Sequence, residues 1–418
     1  MQDQGPDRDD PDELDKTLAQ ALEHMLASID PVAGFEIVST RDALDRILHE
    51  SIISPRNLPA YTNSAMDGYA LAGEQLPAVG HRSFRVVGTA FAGHDFSGPV
   101  GTGECVRIMT GAVIPASTDT VVMQERVRRE DDRAVISSDH QPGENVRLAG
   151  EDLAAGDEAL PAGLLLQPAH LGLIASLGIV ESRVKRRPRI ACFSTGDELV
   201  ALGDPLDEGR IHDSNRYAIR AMLGRLGLDI LDLGIVRDQP EELERTVRMA
   251  VAQGDAVITT GGVSVGEADY VSELVARLGR LGFSRVAIKP GRAFVFGHID
   301  AVPFFGLPGN PVSSLVAFSQ LVRPALQRLM GRLDEEVPVL IHATCDSPVR
   351  KKPGRREYQR GHLRRGTDGR YRVSTSAGQG SGMLHSMATA NCFVVLDAES
   401  GSLEAGAEVA VQSFSSIF

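Results

Sequence analysis

The spacing of apolar residues predicts two short helices at the start of the chain. Residues 14–26 have apolar side chains at helical intervals and predict an amphipathic helix. A second helix is predicted to begin at Ser39 or Thr40, because both residue types are good N-caps. One face of this second helix would be formed by Leu44, Ile47 and Leu48.

The pattern then changes to short apolar runs separated by turn residues. Between residues 58 and 147 the chain is rich in Gly, Val and Thr, and runs such as 84–87 and 120–123 predict a β-rich module. Residues 167–177 return to helical spacing, with Pro168 at the start and Gly178 just past the end.

From residue 189 to residue 329 predicted strands and helices alternate, which indicates a parallel sheet covered by helices. The predicted strands are residues 189–194, 229–236, 255–260 and 302–306. The predicted helices are residues 215–226, 240–252, 270–278 and 312–329. Beyond residue 331, short segments at 339–344, 370–374 and 393–397 predict a small terminal β module.

Composition excludes several classes of protein. The net charge of −13, the absence of Trp and an aromatic content of 5% argue against nucleic-acid binding. Four widely separated cysteines indicate free thiols in a reducing compartment. Residues 1–13 read as a disordered acidic tail without the features of a signal peptide. The most apolar run, residues 160–180, contains Pro161, Gln167, Pro168 and His170 and cannot span a membrane. We therefore expect a cytoplasmic protein.

Three loops at the ends of predicted strands carry unusual residues. They are residues 194–198, 260–269 and 307–314. Ligands of open α/β sheets bind beyond the carboxyl ends of the strands. Glycines in such loops allow backbone N–H groups to approach an anion, and a following helix adds partial positive charge. The three loops together predict an anion-binding site at one edge of the sheet.

Carboxylates in and near these loops suggest a magnesium site, since Mg²⁺ prefers carboxylate and phosphate oxygens. Glu198, Asp238 and Asp269 are the candidates. Each has another interpretation: Asp238 with Glu241 matches a capping box, Asp269 could cap the helix that follows, and Glu198 could be a solvated loop residue.

Six further segments, read with the three loops, resemble the MoeA family. They are residues 63–70 (NSAMDGYA), 107–112 (RIMTGA), 143–147 (GENVR), 150–152 (GED), 288–292 (IKPGR) and 378–382 (GQGSG). They occur in the family's order and span nearly the whole chain beyond the acidic tail. The sequence departs from the family pattern at residues 58–61, at Arg292-Ala293 and at Cys392.

The resemblance implies a multidomain α/β fold. Residues 187–331 would form a three-layer α/β domain of the molybdopterin-binding type, and residues 332–418 a small C-terminal β-barrel. Residues 58–149 would be an inserted β-rich domain, and residues 14–57 with 150–186 a linker domain. The family resemblance also implies a homodimer, whose active site lies between the α/β domain of one chain and the β-rich domain of the other.

The activity implied is insertion of molybdate into adenylylated molybdopterin with release of AMP, assisted by Mg²⁺. The catalytic positions would be Asp67, Thr110, Glu198, Asp238, Asp269, Pro308 and Pro311. Glu198, Asp238 and Asp269 would hold the metal. Substrate contacts would come from Gly261, Gly262, Ser264, Lys289, Arg292, Gly309, Asn310, Ser313, Arg360 and Ser381. A contact with the adenylyltransferase of the pathway is a further expectation.

Other interpretations stay open at this point. Outside the resemblance, Asp67-Gly68 would be a tight turn, Thr110 a turn residue, Lys289 a surface lysine and residues 378–382 a flexible loop. An adenylyltransferase would share the α/β unit but would not need the module around Asp67 or the C-terminal one. A scaffold, as in a eukaryotic relative that clusters receptors, would normally carry an appended N-terminal domain and a long linker.

Overall fold

The computed structural model describes residues 15–263, 270–333 and 338–417. Its first element is helix α1 (Leu18–Ala27), which begins after the N-cap Thr17. The Thr17 hydroxyl accepts from the backbone N–H of Gln20, and the Gln20 side chain accepts from the backbone N–H of Thr17. This reciprocal cap satisfies two of the free donors at the helix start.

The predicted second helix is wrong. Strand β1 (Phe35–Ser39) is followed only by a single 3₁₀ turn (Thr40–Asp42) and then by β2 (Ile52–Ile53). Asp45 adopts a left-handed φ of 58°, which interrupts helical geometry. Ile47 and Leu48 are buried, as expected for an apolar face, but they form isolated β-bridges to Leu165 and Val184.

The β-rich module predicted around residues 58–147 is confirmed as a six-stranded sheet. Its strand order is β7 (Thr120–Met123), β4 (Gly68–Leu71), β6 (Glu104–Ile108), β5 (His81–Ala90), β9 (Arg133–Ser137) and β8 (Arg128–Glu130). Successive residues of its strands pack into two apolar clusters, so both faces of the sheet are buried. The strands of this region are β3 (Asn63–Ser64), β4 (Gly68–Leu71), β5 (His81–Ala90), β6 (Glu104–Ile108), β7 (Thr120–Met123), β8 (Arg128–Glu130), β9 (Arg133–Ser137) and β10 (Val146–Arg147), with 3₁₀ turns at Gly73–Gln75 and Gln124–Arg126.

The chain then returns to the elements that precede this module. Strand β11 (Glu158–Leu160) pairs with β2, helix α2 (Pro168–Ser176) follows, and β12 (Glu181–Lys185) pairs antiparallel with β1. Segments distant in sequence therefore form one unit with its own apolar cluster.

Beyond residue 188 the predicted strands and helices are confirmed, and five further strands that were not predicted lie among them. The elements are β13 (Arg189–Thr195), β14 (Leu199–Val200), β15 (Ile211–His212), α3 (Asn215–Arg225), β16 (Asp229–Val236), α4 (Pro240–Gln253), β17 (Ala256–Thr260), α5 (Tyr270–Leu278), β18 (Arg280–Arg285), β19 (Ile288–Lys289), β20 (Ala293–Ile299), β21 (Val302–Leu307), α6 (Pro311–Ala317) and α7 (Arg323–Met330). A π-helical segment (Phe318–Val322) joins α6 to α7 within the helix predicted at 312–329.

The main sheet has the order β16-β13-β17-β21-β20-β18. Its first four strands are parallel, as predicted, whereas β20 runs antiparallel to both of its neighbours, β21 and β18. The expectation of a parallel sheet missed this edge, where a hairpin turn with Asp300 at φ 54° joins β20 to β21. Two large apolar clusters cover opposite faces of the sheet, which confirms the three-layer α/β architecture.

The C-terminal region is a small closed barrel, as the resemblance implied. Its strands pair in the ring β23 (Arg356–Arg365), β24 (Tyr371–Thr375), β22 (Leu340–Cys345), β26 (Glu408–Ser413), β25 (Cys392–Leu396) and back to β23. Strand β19 adds a short parallel strand to β23. The elements are β22 (Leu340–Cys345), β23 (Arg356–Arg365), β24 (Tyr371–Thr375), α8 (Leu384–Thr389), β25 (Cys392–Leu396), β26 (Glu408–Ser413) and a final 3₁₀ turn (Phe414–Ser416). Among the described residues, no helix has both the length and the apolar character required to cross a membrane.

Candidate functional site

A cleft of about 740 Å³ lies beyond the carboxyl ends of the parallel strands β13, β16, β17 and β21. The described parts of all three predicted loops contribute to its walls. Glu198 comes from the loop after β13, Asp238 from the turn after β16, and residues 308–311 from the loop after β21. The parallel order of these strands brings the loops to one edge of the sheet, as predicted.

Two glycines shape the central wall of the cleft. Gly261 has φ 92° and Gly262 has φ 67°, values that side-chain-bearing residues rarely adopt. A Cβ on Gly261 would lie 2.1 Å from the backbone oxygen of Thr195, which is too close for any side chain. The backbones of β13 and β17 therefore approach each other at the cleft only because residue 261 is glycine.

Two of the predicted metal ligands lie on this cleft. Asp238 accepts a hydrogen bond from the Thr195 hydroxyl through Oδ1, and the Glu198 carboxylate lies against Gly196. The alternative that Asp238 caps helix α4 is wrong, because the N-cap is Gln239 and no side-chain hydrogen bond caps this helix. Asp269 and Ser264 lie outside the described residues.

The loop between β21 and α6 is tied to its neighbours by backbone contacts. The Asn215 side-chain amide donates to the backbone oxygen of Gly309 at 2.7 Å. Pro311 is the first residue of α6, and Asn310 is its N-cap without a side-chain cap bond. At the next position, the backbone N–H of Val312 donates to the backbone oxygen of Ser381 at 3.0 Å. The glycine-rich loop 378–382 is therefore joined to the cleft, which Gly382 also lines.

Arg360 lies behind this glycine-rich loop and is among the largest fully buried side chains. Its guanidinium donates to the backbone oxygens of Gly378 and Gly380 at 2.7 and 3.1 Å, and to the Ser386 hydroxyl at 3.0 Å. Nη1 is buried without a partner, and no carboxylate among the described residues pairs with Arg360. Burial lowers the pKa of this guanidinium. A buried cation without a counter-ion is costly and is a favourable place for an anion.

The other predicted anion contacts are dispersed around the cleft. Lys289 Nζ lies 3.9 Å from a carboxylate oxygen of Glu357, its neighbour across the β19–β23 pairing. Arg292 donates through Nε to Asp15 at 2.8 Å. Ser313 is buried in the first turn of α6. None of these three lines the cleft in the described chain.

Asp67 and Thr110 form a separate pair in the β-rich module. The backbone N–H and the hydroxyl of Thr110 both donate to Asp67 Oδ1 at 2.7 Å. The backbone N–H, followed by the hydroxyl, lowers the pKa of the Asp67 carboxyl. The pair is therefore more than a turn, but neither residue lines the cleft of its own chain.

Comparisons with known proteins agree with this arrangement. Residues 16–178 match the MoeA N-terminal region (domain I and II), residues 191–328 a probable molybdopterin binding domain, and residues 342–414 the MoeA C-terminal region (domain IV). A molybdopterin molybdenumtransferase of Haemophilus influenzae is 40% identical over 95% of this chain and 98% of its own length. The chain belongs to the MoeA family.

Two further members of the family extend the comparison. A molybdopterin molybdenumtransferase of Nostoc sp. is 36% identical over 94% of this chain and 92% of its own length. The solved structure of the molybdopterin biosynthesis moeA protein from Pyrococcus horikoshii OT3 has a TM-score of 0.82 at 27% identity, covering 96% of this chain and all of that one. The MoeA fold therefore accounts for nearly the whole chain.

Sequence reasoning missed one residue on the cleft of this MoeA protein, Asp213. Asp213 lines the cleft and is almost fully buried, with Ser194 and Thr260 bonded in a chain behind it. The available signal was the polar run 212–215 directly before α3, which places an Asp at the carboxyl edge of the sheet.

The donor set of the cleft is compatible with Mg²⁺. Within the described ranges, no group of three or more Asp, Glu, His or Cys side chains is arranged to hold a metal ion by itself. Magnesium usually takes only one or two carboxylates and completes its shell with waters and substrate phosphates. Glu198 and Asp238 on one cleft fit that requirement.

Proposed function

We propose that this protein inserts molybdate into adenylylated molybdopterin and releases AMP. The named relatives support a transferase role in molybdenum-cofactor biosynthesis. The observation that carries the finer proposal is the cleft itself. It combines two carboxylates with a loop whose glycines Gly261 and Gly262 adopt left-handed conformations, and Gly382 on its rim belongs to the loop that the buried cation Arg360 holds.

The charged residues in and near the cleft would bind different reactants. Glu198 and Asp238 would hold Mg²⁺, which when bound neutralises phosphate charge and helps to orient the attacking oxygen. Water then forms a bond to the adenylyl phosphorus, the bond to the molybdopterin phosphate oxygen breaks, and a proton of the water passes to a cleft carboxylate. Molybdate is an anion and would bind toward Arg360, with Lys289 and Ser381 as further candidate contacts.

A second copy of the chain would complete the site. Both hydrogen bonds from Thr110 go to Asp67 Oδ1, so Oδ2 is available to another group among the described contacts. Because Asp67 does not line the cleft of its own chain, we propose that it reaches the cleft of a partner protomer in a homodimer.

The proposal is tested by supplying adenylylated molybdopterin, Mg²⁺ and molybdate to the purified protein. Chromatography measures AMP, and mass spectrometry measures molybdenum in the pterin. Glu198→Gln and Asp238→Asn keep the side-chain shape and remove the charge, and we expect each to lower turnover by about a hundredfold or more.

The matched control is Glu241→Gln, which removes an exposed carboxylate of α4 outside the cleft. It should leave turnover unchanged. Full activity of both cleft variants, or AMP formation without molybdenum in the pterin, would refute the proposed reaction.

A further inference from the structure

Three polar side chains form a hydrogen-bonded chain beneath the floor of the cleft. Thr260, at the end of β17, and Asp213, ahead of α3, both line the cleft. Ser194 lies between them and is fully buried. Its Oγ is 2.9 Å from Thr260 Oγ1 and 3.0 Å from Asp213 Oδ1. The polar network continues on the far side of Asp213, away from Thr260.

Arg216 fixes Asp213 as the acceptor of this chain. Its Nε donates to Asp213 Oδ2 at 2.8 Å, and its Nη1 donates to both carboxylate oxygens of Asp232 at 2.8 and 2.7 Å. A carboxylate paired with a guanidinium accepts hydrogen bonds and has no hydrogen to donate. In the hydrogen bond between Ser194 and Asp213, Ser194 is therefore always the donor.

Because each hydroxyl has only one hydrogen, the acceptor role of Asp213 also fixes which group donates in the next hydrogen bond toward the cleft. Ser194 has a single hydroxyl hydrogen and donates it to Asp213. The contact between Ser194 and Thr260 can then exist only if Thr260 is the donor. The one hydrogen of the Thr260 hydroxyl is therefore used below the floor, and toward a ligand this hydroxyl can act only as an acceptor.

A second hydroxyl on this cleft has the same constraint. Thr195 also uses its hydroxyl hydrogen inside the protein, because it donates to Asp238. No Lys or Arg stands among the described lining residues, and the cleft has side-chain donors at Ser214 and Asn310 rather than at Thr260. Phosphate and molybdate oxygens cannot satisfy acceptors, whereas amino groups and ring N–H groups can.

We propose that Thr260, oriented by Ser194 and Asp213, forms a subsite for the hydrogen-bond-donating edge of the pterin ring. This inference rests on the proposed function and deepens it. A pterin carries an amino group and a ring N–H at one end and its phosphate at the other. Ser194 and Asp213 are positioning residues, since they act through Thr260.

The test compares two fluorescent probes that differ in one group. One is 6-hydroxymethylpterin phosphate, and the other is its lumazine counterpart, in which a carbonyl replaces the amino group. In fluorescence titrations we expect the wild-type protein to bind the pterin probe about tenfold or more tightly, because the lumazine carbonyl would face an acceptor. Thr260→Val should reduce this preference to near one, and Thr260→Ser should restore it.

Two more variants separate orientation from structure. Ser194→Ala keeps Thr260 but frees its hydrogen, so the preference should fall even though the contacting hydroxyl is intact. This readout also decides the matter if Thr260→Val does not fold. The matched control is Thr259→Val, whose buried hydroxyl has no partner among the described residues and lies on the opposite face of β17. It should keep the wild-type preference.

The outcomes distinguish this inference from the proposed function. If the wild-type protein binds both probes equally, or if Thr260→Val and Ser194→Ala keep its preference, the acceptor subsite is refuted and a pterin substrate still stands. If the wild-type protein binds neither probe, the subsite falls together with pterin as the substrate.

Discussion

Replacing Arg360 with Met tests how the glycine-rich loop beside the cleft is held. The buried guanidinium donates to two loop carbonyls, those of Gly378 and Gly380, and to the Ser386 hydroxyl. Met fills much of the same volume but has no donor. Arg360→Met therefore removes three charge-assisted hydrogen bonds and leaves the fold of the barrel strand β23 otherwise intact.

The expected cost follows from these contacts. Each buried acceptor left without a donor costs about 1 kcal/mol or more, so three acceptors cost about 3 kcal/mol. Part of this is offset, because the substitution also removes a buried charge whose Nη1 has no partner. We expect a net loss of about 2 kcal/mol in local stability, which corresponds to an opening equilibrium about 30-fold more favourable.

Hydrogen exchange measured by mass spectrometry reports this loss locally and does not require the multidomain chain to unfold in a single step. Amides of the segment 376–389 should exchange about 30-fold faster in Arg360→Met. The matched control is Arg364→Met, on the same strand, whose guanidinium is 60% exposed and pairs with Asp346 at 3.0 Å. Exposed pairs contribute about 1 kcal/mol at most, so the control should leave this segment unchanged.

Addition of molybdate extends the same experiment to the proposed anion site. Molybdate should slow exchange of the segment in the wild-type protein and have no effect in Arg360→Met. Unchanged protection in Arg360→Met would refute the role of the guanidinium in holding the loop. Equal slowing by molybdate in both proteins would remove Arg360 from the proposed anion site.

Two further predictions concern assembly and pH. If each active site takes Asp67 from one protomer and Asp238 from the other, two inactive variants can complement each other. Mixing Asp67→Ala and Asp238→Ala chains under subunit exchange should restore about a quarter of wild-type turnover, because about half of randomly mixed dimers carry one intact site. No rescue after proven exchange would place both residues in one chain's site. The second prediction concerns the pKa of Asp255, which burial raises. Hydrogen bonds from the Arg186 side chain at 2.7 and 2.6 Å and from the Arg189 backbone N–H at 2.8 Å outweigh this effect, so the net pKa is lowered. The ionised Asp255 carboxylate therefore stabilises the folded protein fully above the ordinary carboxyl pKa of about 4, and this stabilisation is lost as the pH falls through the lower pKa of the folded state. The difference in urea midpoint between wild type and Asp255→Asn should shrink below about pH 4. A difference that stays constant with pH would contradict this.

The elements of the α/β region could be predicted closely from sequence. Strand β16 and helix α5 have the predicted bounds, and most other predicted elements differ by one or two residues. Five strands of this region, β14, β15, β18, β19 and β20, were not predicted. Period-two and helical spacing, with Pro and Gly at the ends, act over a few residues and can be read locally. The same local spacing failed at residues 39–48, where Leu48 is buried by a bridge to Val184 rather than by a helix.

Pairing between distant segments was beyond these local signals. The hairpin of β20 and β21 at the sheet edge and the closure of the barrel through β23 and β25 depend on which strands meet. The spacing of apolar residues shows which face of a strand is buried but does not determine which other strand it pairs with.

For the candidate site, too, local sequence signals determined some features and tertiary packing determined the others. Sequence by itself determined that three loops with glycines and carboxylates follow strands of one sheet, and parallel strands must bring such loops to a common edge. Tertiary structure alone decided which donor each acceptor meets: Asp238 with Thr195, Arg292 with Asp15, and Asp213 with Ser194. A hydrogen bond requires two atoms within about 3 Å, and only the packing of the whole chain fixes such distances between residues far apart in sequence.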